Sequence, residues 1–124
     1  GTGGVILVDT SVWIDHLRRG NAMLTSLLEE DRVLTHEDVL GELAAGFLSP
    51  REPTLRRLHT LERATRVTHD EAMAFLAQHT LAGKGLGWTD VHLLAACKLA
   101  NVRVWTLDRR FARIAASLRL AATP

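Results

Sequence analysis

One stretch near the start of the chain, residues 5–17 (VILVDTSVWIDHL), constrains the fold more than any other. It begins with four consecutive apolar residues, mostly β-branched, which is typical of a strand buried on both faces of a parallel sheet. Asp9 ends this run, and the apolar residues after it recur at helical spacing. The stretch therefore predicts a strand, an acid at its carboxyl end and then a helix. Ligands bind at this edge of open α/β sheets, and capping the helix is the competing role for Asp9, one that Thr10 or Ser11 can also fill.

Short apolar runs alternate with helical periodicity along the rest of the chain. Further strands are predicted at residues 33–34, 65–68 and 102–107, with an edge strand near Leu120. Helices are predicted at residues 12–17, 23–28, 36–48, 54–61, 69–81, 88–100 and 109–118. This alternation predicts one α/β domain over residues 5–124, in which several helices flank both faces of a short central parallel sheet. Residues 1–4 are expected to be a remnant of cloning, outside the fold.

Three local expectations follow from the same pattern. Phe47 should lie on the buried face of the helix at 36–48, together with Val39, Leu40 and Leu43. Residues 49–53 contain two prolines and are expected to form a loop. Thr89 is expected to cap the helix that follows the glycine-rich loop 83–87, which lacks the spacing of a phosphate-binding P-loop.

The composition excludes several classes of protein. No apolar run approaches the roughly 20 residues of a membrane span, and no secretory signal is visible. The single cysteine, Cys97, lies in an apolar helical pattern and is expected to be a buried thiol rather than a nucleophile. A chain of this length without an internal disulfide suits a reducing compartment, so we expect a cytoplasmic protein without a membrane association.

The charges are divided unevenly. A net charge of +1 does not by itself predict a nucleic-acid partner, but arginine supplies 13 of the 15 basic residues. If four of the 14 acids are set apart in one pocket, ten acids remain against these 15 bases. An acidic pocket within an arginine-rich surface suits a polyanion held beside metal ions. Genomic base composition is the competing reason for an excess of arginine over lysine.

Four acids are predicted to meet in one place. Asp9 and Asp108 each follow a buried strand, and the carboxyl ends of parallel strands lie at the same edge of a sheet. Glu42 lies in a helix among apolar residues, where a charge is rarely buried unless it is paired or binds something. Asp90 lies in the first turn of the most apolar helix. Each acid has a simpler explanation, such as a solvated helix face or a favourable helix dipole, but four separate explanations are less economical than one site.

Crowded carboxylates indicate a cation. They repel each other, and we expect at least one of them to have a pKa above its ordinary value of ~4. Oxygen ligands without Cys or His suit Mg²⁺ or Mn²⁺. Such ions activate water and stabilise the charge that develops in phosphodiester hydrolysis. The six histidines show no paired metal-binding spacing and are expected to have surface or packing roles.

Two motifs resemble a known family. The segments DTSVWIDHL and WTDVHLLAACKLANVRVWTLDRRF, with Glu42 in a helix between them, resemble PIN-domain ribonucleases, in particular the VapC toxins of bacterial VapBC toxin–antitoxin modules. The likeness covers residues 5–121. It implies a PIN-like fold and a metal-dependent endoribonuclease. The site residues it implies are Asp9, Glu42, Asp90 and Asp108 as catalytic metal ligands, with Thr10, Ser11, Thr106 and Asp15 in supporting roles.

The resemblance also implies partners. These are a VapB-type antitoxin, a second copy of the chain in a homodimer, higher assemblies with the antitoxin, and a structured RNA substrate such as tRNA or rRNA. The arginines expected to contact RNA are Arg18, Arg19, Arg109, Arg110 and Arg113. Two alternatives remain at this point: a phosphodiesterase of the same fold that acts on DNA, and a binding module without catalytic activity.

Overall fold

The computed structural model describes residues 4–124, so the expected cloning remnant lies, except for Gly4, outside the described residues. The elements in chain order are β1 (Ile6–Val8), α1 (Thr10–Arg19), α2 (Ala22–Glu29), β2 (Val33–Leu34), α3 (Glu37–Ala45), α4 (Arg51–His59), α5 (His69–Gln78), α6 (Trp88–Ala100), β3 (Arg103–Trp105) and α7 (Arg109–Ser117). The predicted α/β class is confirmed, and helices account for most of the ordered chain.

A three-stranded parallel sheet forms the centre of the fold, in the order β2-β1-β3. Ile6 pairs with Val33 on one side and with Arg103 on the other, so β1 is the middle strand. All three residues of β1 are buried, as the uninterrupted apolar run predicts. The carboxyl end of β1 therefore opens at the middle of one sheet edge, with the end of β3 beside it.

The core surrounds this sheet. Leu7, Val12 and Leu93 are completely buried, and α6 buries seven consecutive residues from Val91 to Cys97. Burial raises the pKa of the Cys97 thiol to about 12, so it stays protonated, which confirms the expected core role. No helix among residues 4–124 combines the length and the apolar character needed to cross a membrane.

The helix predicted at residues 36–48 ends earlier than expected. The amide of Gly46 bonds to the carbonyl oxygens of Glu42 and Leu43, and its backbone is extended, which terminates α3. Phe47 consequently lies beyond the helix and is 98% exposed. The prediction that Phe47 belongs to the buried face was therefore wrong, whereas Val39, Leu40 and Leu43 are buried as predicted.

The loop predicted at residues 49–53 is also wrong, because α4 already begins at Arg51. Pro50 occupies the cap position and Pro53 lies in the first turn. Amide groups in the first turn of a helix have no partner within the helix, so a proline is tolerated there. The prolines mark the start of α4 rather than a loop.

The strand predicted at residues 65–68 is not formed. The nearest β-type pairing in the described residues is an isolated bridge between Thr35 and Arg63. Thr68 instead caps α5 in a reciprocal arrangement with Glu71, in which each side chain accepts from the other residue's amide. Near Leu120 the edge strand is likewise reduced to one bridge, between Val104 and Ala121.

Candidate active site

Asp9 both caps α1 and faces the sheet edge. Its Oδ2 atom accepts hydrogen bonds from the Ser11 amide at 3.3 Å, from the Ser11 hydroxyl at 2.7 Å and from the Thr106 hydroxyl at 2.7 Å. The residue is only 6% exposed. The cap thus belongs to Asp9 itself and not to Thr10 or Ser11. Because these three bonds converge on one oxygen, they leave Oδ1 available to another group.

The hydroxyls around Asp9 join the ends of β1 and β3. Ser11 Oγ lies 3.1 Å from Thr106 Oγ1 and accepts from the Leu107 amide at 2.9 Å. Thr106 Oγ1 accepts from the Asp108 amide at 3.0 Å. These bonds tie the chain after β3 to the first turn of α1, so one network fixes the positions of Asp9 and Asp108.

Glu42 is held by a different hydroxyl. It lies on the exposed side of α3, where Thr10 Oγ1 donates to its Oε1 atom at 2.7 Å. The apolar neighbours in sequence therefore do not bury Glu42. Thr10 and Ser11 divide the supporting role between them, with Thr10 orienting Glu42 and Ser11 orienting Asp9.

Asp90 lies in the first turn of α6. It is the third residue of α6, and its Oδ2 atom accepts from the Gly87 amide at 3.1 Å. Burial raises the pKa of Asp90 to about 6, and the charges of Asp9, Asp108 and Glu42 add to this shift against the opposing Gly87 hydrogen bond. The other three acids thus lie within electrostatic range of Asp90. The carboxyl that carries the expected raised pKa is that of Asp90.

The start of α6 differs from the predicted one. Gly87, not Thr89, occupies the cap position, and Asp90 reaches back to the Gly87 amide from the end of the first turn. The prediction of a Thr89 cap was wrong because an acid three residues after the cap can satisfy the cap amide. The spacing of Gly87 and Asp90 was the signal in the sequence that could have revealed this contact.

Asp108 caps the last helix. Its Oδ1 atom accepts from the Phe111 amide at 3.1 Å, while the residue itself is exposed. Asp108 therefore combines a cap with a place at the acid cluster, as Asp9 does. Both strand-end acids owe their positions to a helix that begins immediately after them.

Asp15 is tied to the end of α1 rather than to the four acids. It accepts from Arg19 at 2.6 Å and from Asn21 at 3.1 Å. The Arg19 side chain beside Asp15, together with Asn21, holds the pKa of that carboxyl below its ordinary value. Arg19 thus already has an acidic partner. Arg18 lines a cavity of about 320 Å³ together with Glu42, Phe47 and apolar residues.

The other arginines expected to contact RNA lie on α7. Arg109, Arg110 and Arg113 are exposed there, within five residues of Asp108. Within residues 4–124 no group of three or more His, Cys, Asp or Glu side chains is arranged closely enough to hold a metal ion as it stands. Within these residues, the oxygens of the four acids therefore do not form a closed set of ligands.

A model of the PIN domain family matches residues 6–117, a span that includes all four acids. The chain belongs to the PIN domain family. Over 107 residues, which are 86% of each chain, it is 43% identical to Ribonuclease VapC32 of Mycobacterium tuberculosis strain CDC 1551 / Oshkosh. The Ribonuclease VapC32 of strain ATCC 25618 / H37Rv has the same identity and coverage. The family expected from the two motifs is therefore confirmed.

Two of the six histidines are buried in the fold. His36 caps α3 by accepting from the Asp38 amide at 3.0 Å, and His92 packs edge-on against Trp88 with ring centroids 5.0 Å apart. Both are completely buried, and burial lowers the pKa of each ring. Neutral packed rings agree with the packing role expected for the histidines.

Proposed function

We propose that this protein is an endoribonuclease toxin that requires Mg²⁺ or Mn²⁺ and cleaves structured RNA. The observation that carries the proposal is that the charges of Asp9, Asp108 and Glu42 all act on the carboxyl of Asp90. Membership of the PIN family and the similarity to proteins named ribonucleases support the RNA chemistry. The four acids are the proposed catalytic and metal-binding residues.

The donor set fits a hard divalent cation. All four candidate ligands offer oxygen, which Mg²⁺ and Mn²⁺ prefer. Burial is the main cause of the raised pKa of Asp90, and the charges of the other three acids add to it. Mg²⁺ commonly keeps several waters and takes only one or two carboxylates directly, so an open arrangement of acids is compatible with its binding.

The residues of the chain would then have separate tasks. Ser11 and Thr106 fix Asp9 through Oδ2 and leave its Oδ1 atom to face the cation, and Thr10 fixes Glu42. Asp90 and Asp108 complete the acidic surface from the starts of α6 and α7. When bound, the cation supplies activation of water and stabilisation of charge on the phosphate.

The proposed partners rest on the similarity to the proteins named Ribonuclease VapC32. The substrate is structured RNA, such as tRNA or rRNA, and the cellular location is the cytoplasm. A VapB-type antitoxin would neutralise the toxin by covering the acids, and an arginine placed among the carboxylates would replace the cation through charged hydrogen bonds. The functional unit would be a homodimer that assembles further with the antitoxin.

Replacement of Asp90 by asparagine tests the proposal. Asp90→Asn removes a ligand charge and almost no volume, so cleavage of a bulk tRNA pool under saturating Mg²⁺ or Mn²⁺ should fall more than about 100-fold, since even residues behind a metal ligand contribute ~10–100-fold. Asp70→Asn is the matched control, because Asp70 is an exposed acid in the first turn of α5. Cleavage is measured by gel, and circular dichroism verifies the fold.

The other outcomes would overturn the proposal in different ways. Wild-type turnover by Asp90→Asn would remove Asp90 from the site. Cleavage of duplex or flap DNA in place of RNA would favour the DNA-acting phosphodiesterase. If calorimetry detects no heat of Mn²⁺ binding and RNA stays uncleaved, the protein is a binding module without catalysis.

A further inference from the structure

An unusually close contact joins the loop before α6 to the start of α7. Gly85 has a φ of +82°, and a Cβ atom at this position would overlap Nη1 of Arg110 and lie 2.8 Å from its Cδ atom. The Arg110 side chain therefore lies directly against the backbone of residue 85. Only glycine combines this positive φ with the space that the arginine occupies.

The contact is adjacent to the acids. Gly85 is two residues before Gly87, whose amide holds Asp90, and two linked Cα–Cα steps span at most about 7.6 Å. Arg110 is two residues after Asp108 and lies in the first turn of the helix that Asp108 caps. The Arg110 side chain thus lies between the loop before α6 and the start of α7, the elements next to Asp90 and Asp108.

The charge of Arg110 has no acidic partner among residues 4–124. The arginines in ion pairs there are Arg19, Arg32 and Arg66. Arg110 is exposed, and the charges that act most strongly on Asp90 are all carboxylates. Arg110 therefore contacts the backbone of residue 85 without an acidic partner in the described part of the chain, which leaves its hydrogen-bond donors available to an anion.

We propose that Arg110 binds a phosphate of the RNA strand next to the phosphate that is cleaved, and that Gly85 sets its orientation. The inference rests on the proposed nuclease function. A guanidinium offers two parallel donors to a phosphate. An RNA strand drawn to a cation among the acids also brings uncleaved phosphates to the rim of the site, where carboxylates would repel them. Arg110 supplies the positive charge at that rim.

Two glycine variants separate the position of Arg110 from its charge. Gly85→Ala keeps every charge but forces the arginine away from the loop. Gly83→Ala is the matched control, since Gly83 has a similar φ of +75° and a Cβ atom added there would meet nothing within 4 Å. Both variants carry the same kind of backbone strain, so a difference between them reports the contact with Arg110.

Charge variants complete the experiment. In Mn²⁺ with a bulk tRNA pool, Arg110→Ala should raise KM about tenfold and change kcat much less, with Arg110→Lys intermediate. In chelator, where RNA stays intact, the steepness with which the logarithm of the RNA-binding constant falls against the logarithm of salt concentration should decrease by about 0.7–0.9. This is the value for one phosphate contact. Arg56→Ala, which removes an exposed arginine from α4, should leave KM and the slope nearly unchanged. Gly85→Ala should raise KM several-fold more than Gly83→Ala.

The outcomes distinguish this inference from the proposed function. If wild-type protein cleaves RNA and Arg110→Ala matches Arg56→Ala, or Gly85→Ala matches Gly83→Ala, the phosphate contact is wrong and the nuclease assignment stands. If wild-type protein neither cleaves nor binds RNA, both are wrong. If Arg110→Ala unfolds, Arg110→Lys and the glycine pair decide the question.

Discussion

The end of β1 and the start of α6 each contribute an aspartate to the same acidic surface, but they hold it in opposite ways. Asp9 is nearly buried and accepts three hydrogen bonds on one oxygen. Asp90 is partly buried and accepts one, from the Gly87 amide. Its pKa is raised to about 6 by burial and by the neighbouring acids. One region compensates its charge with donors, and the other leaves its charge to be compensated by something else.

Asp9 and Asp90 therefore have different roles in the cation-free protein. Asp9 caps a helix and connects two strands, so it contributes to stability even without a cation. Asp90 raises the energy of the cation-free fold whenever it is ionised. Inspection of the sequence alone suggests four equivalent carboxylates, and only the donors around each one reveal the division.

The largest expected effect of replacing one of these two aspartates is on the free energy of unfolding. Asp9→Ala removes a cap and leaves two hydroxyls and an amide without their acceptor, so the free energy of unfolding in chelator should fall by about 2–4 kcal/mol. Asp90→Ala should lower it by less than ~1 kcal/mol at neutral pH. Urea denaturation followed by circular dichroism measures both. Equal losses for the two variants would contradict the separation of roles.

The second effect is the pH dependence of stability. The pKa of Asp90 is about 6 in the folded state against an ordinary value of 3.8, so between these values the folded state binds more protons than the unfolded state. The stability that proton binding by Asp90 contributes is therefore fully present below pH 3.8, and it is lost as pH rises through about 6. In chelator at pH 7.5, the free energy of unfolding of Asp90→Asn should exceed that of the wild type by on the order of 1–2 kcal/mol, after allowance for solvent screening.

Controls sharpen this test. The advantage of Asp90→Asn should disappear near pH 4, where the wild-type carboxyl is protonated, and Asp70→Asn should show no comparable change. Saturating Mn²⁺ should reverse the order, since it stabilises the wild type by mass action and the variant much less. A constant difference between the two proteins at all pH values would mean that the Asp90 carboxyl does not titrate as described.

The smallest effect concerns the hydroxyl that supports Glu42. Thr10→Val should change the free energy of unfolding by only about 0.5–1 kcal/mol, because the hydrogen bond is solvent-exposed. Its affinity for Mn²⁺ should nevertheless fall about tenfold, as expected for a partner behind a metal ligand. Thr25→Val is the matched control, since Thr25 makes an exposed helical hydrogen bond to the Asn21 carbonyl. Calorimetric titration compares the two variants, and equal Mn²⁺ affinities would contradict a supporting role for Thr10.

The sequence predicts the central strand and the helices well, because burial leaves a periodic record in the residue types. It fails where a boundary depends on the backbone. Phe47 fits the apolar period of α3, but the extended backbone at Gly46 has already ended that helix. Pro53 resembles a loop residue, yet it occupies the one turn of a helix that tolerates proline. Residues 65–68 have strand-like composition but only an isolated bridge forms nearby.

The same limit applies to the candidate site. The positions of Asp9 and Asp108 after strands are readable from the sequence, since parallel strands end at a common edge. The roles of Thr10 and Ser11 are not, because adjacent hydroxyls face different acids and only three-dimensional placement assigns them. The contact between Gly85 and Arg110 cannot be predicted from the sequence either. The two residues are 25 positions apart, and nothing in the sequence distinguishes Arg110 from the other 12 arginines.

The hydrogen bond from Thr106 to Asp9 joins residues 97 positions apart, and this separation has a consequence for the growing polypeptide. A chain still attached to the ribosome carries Asp9, Glu42 and Asp90 well before Thr106 and Asp108 have been added. During that interval β1 also lacks β3, one of its two neighbours in the sheet. Until residues 103–108 have been added, the nascent chain lacks both the Thr106 hydroxyl and strand β3, which help to hold Asp9 in the folded protein.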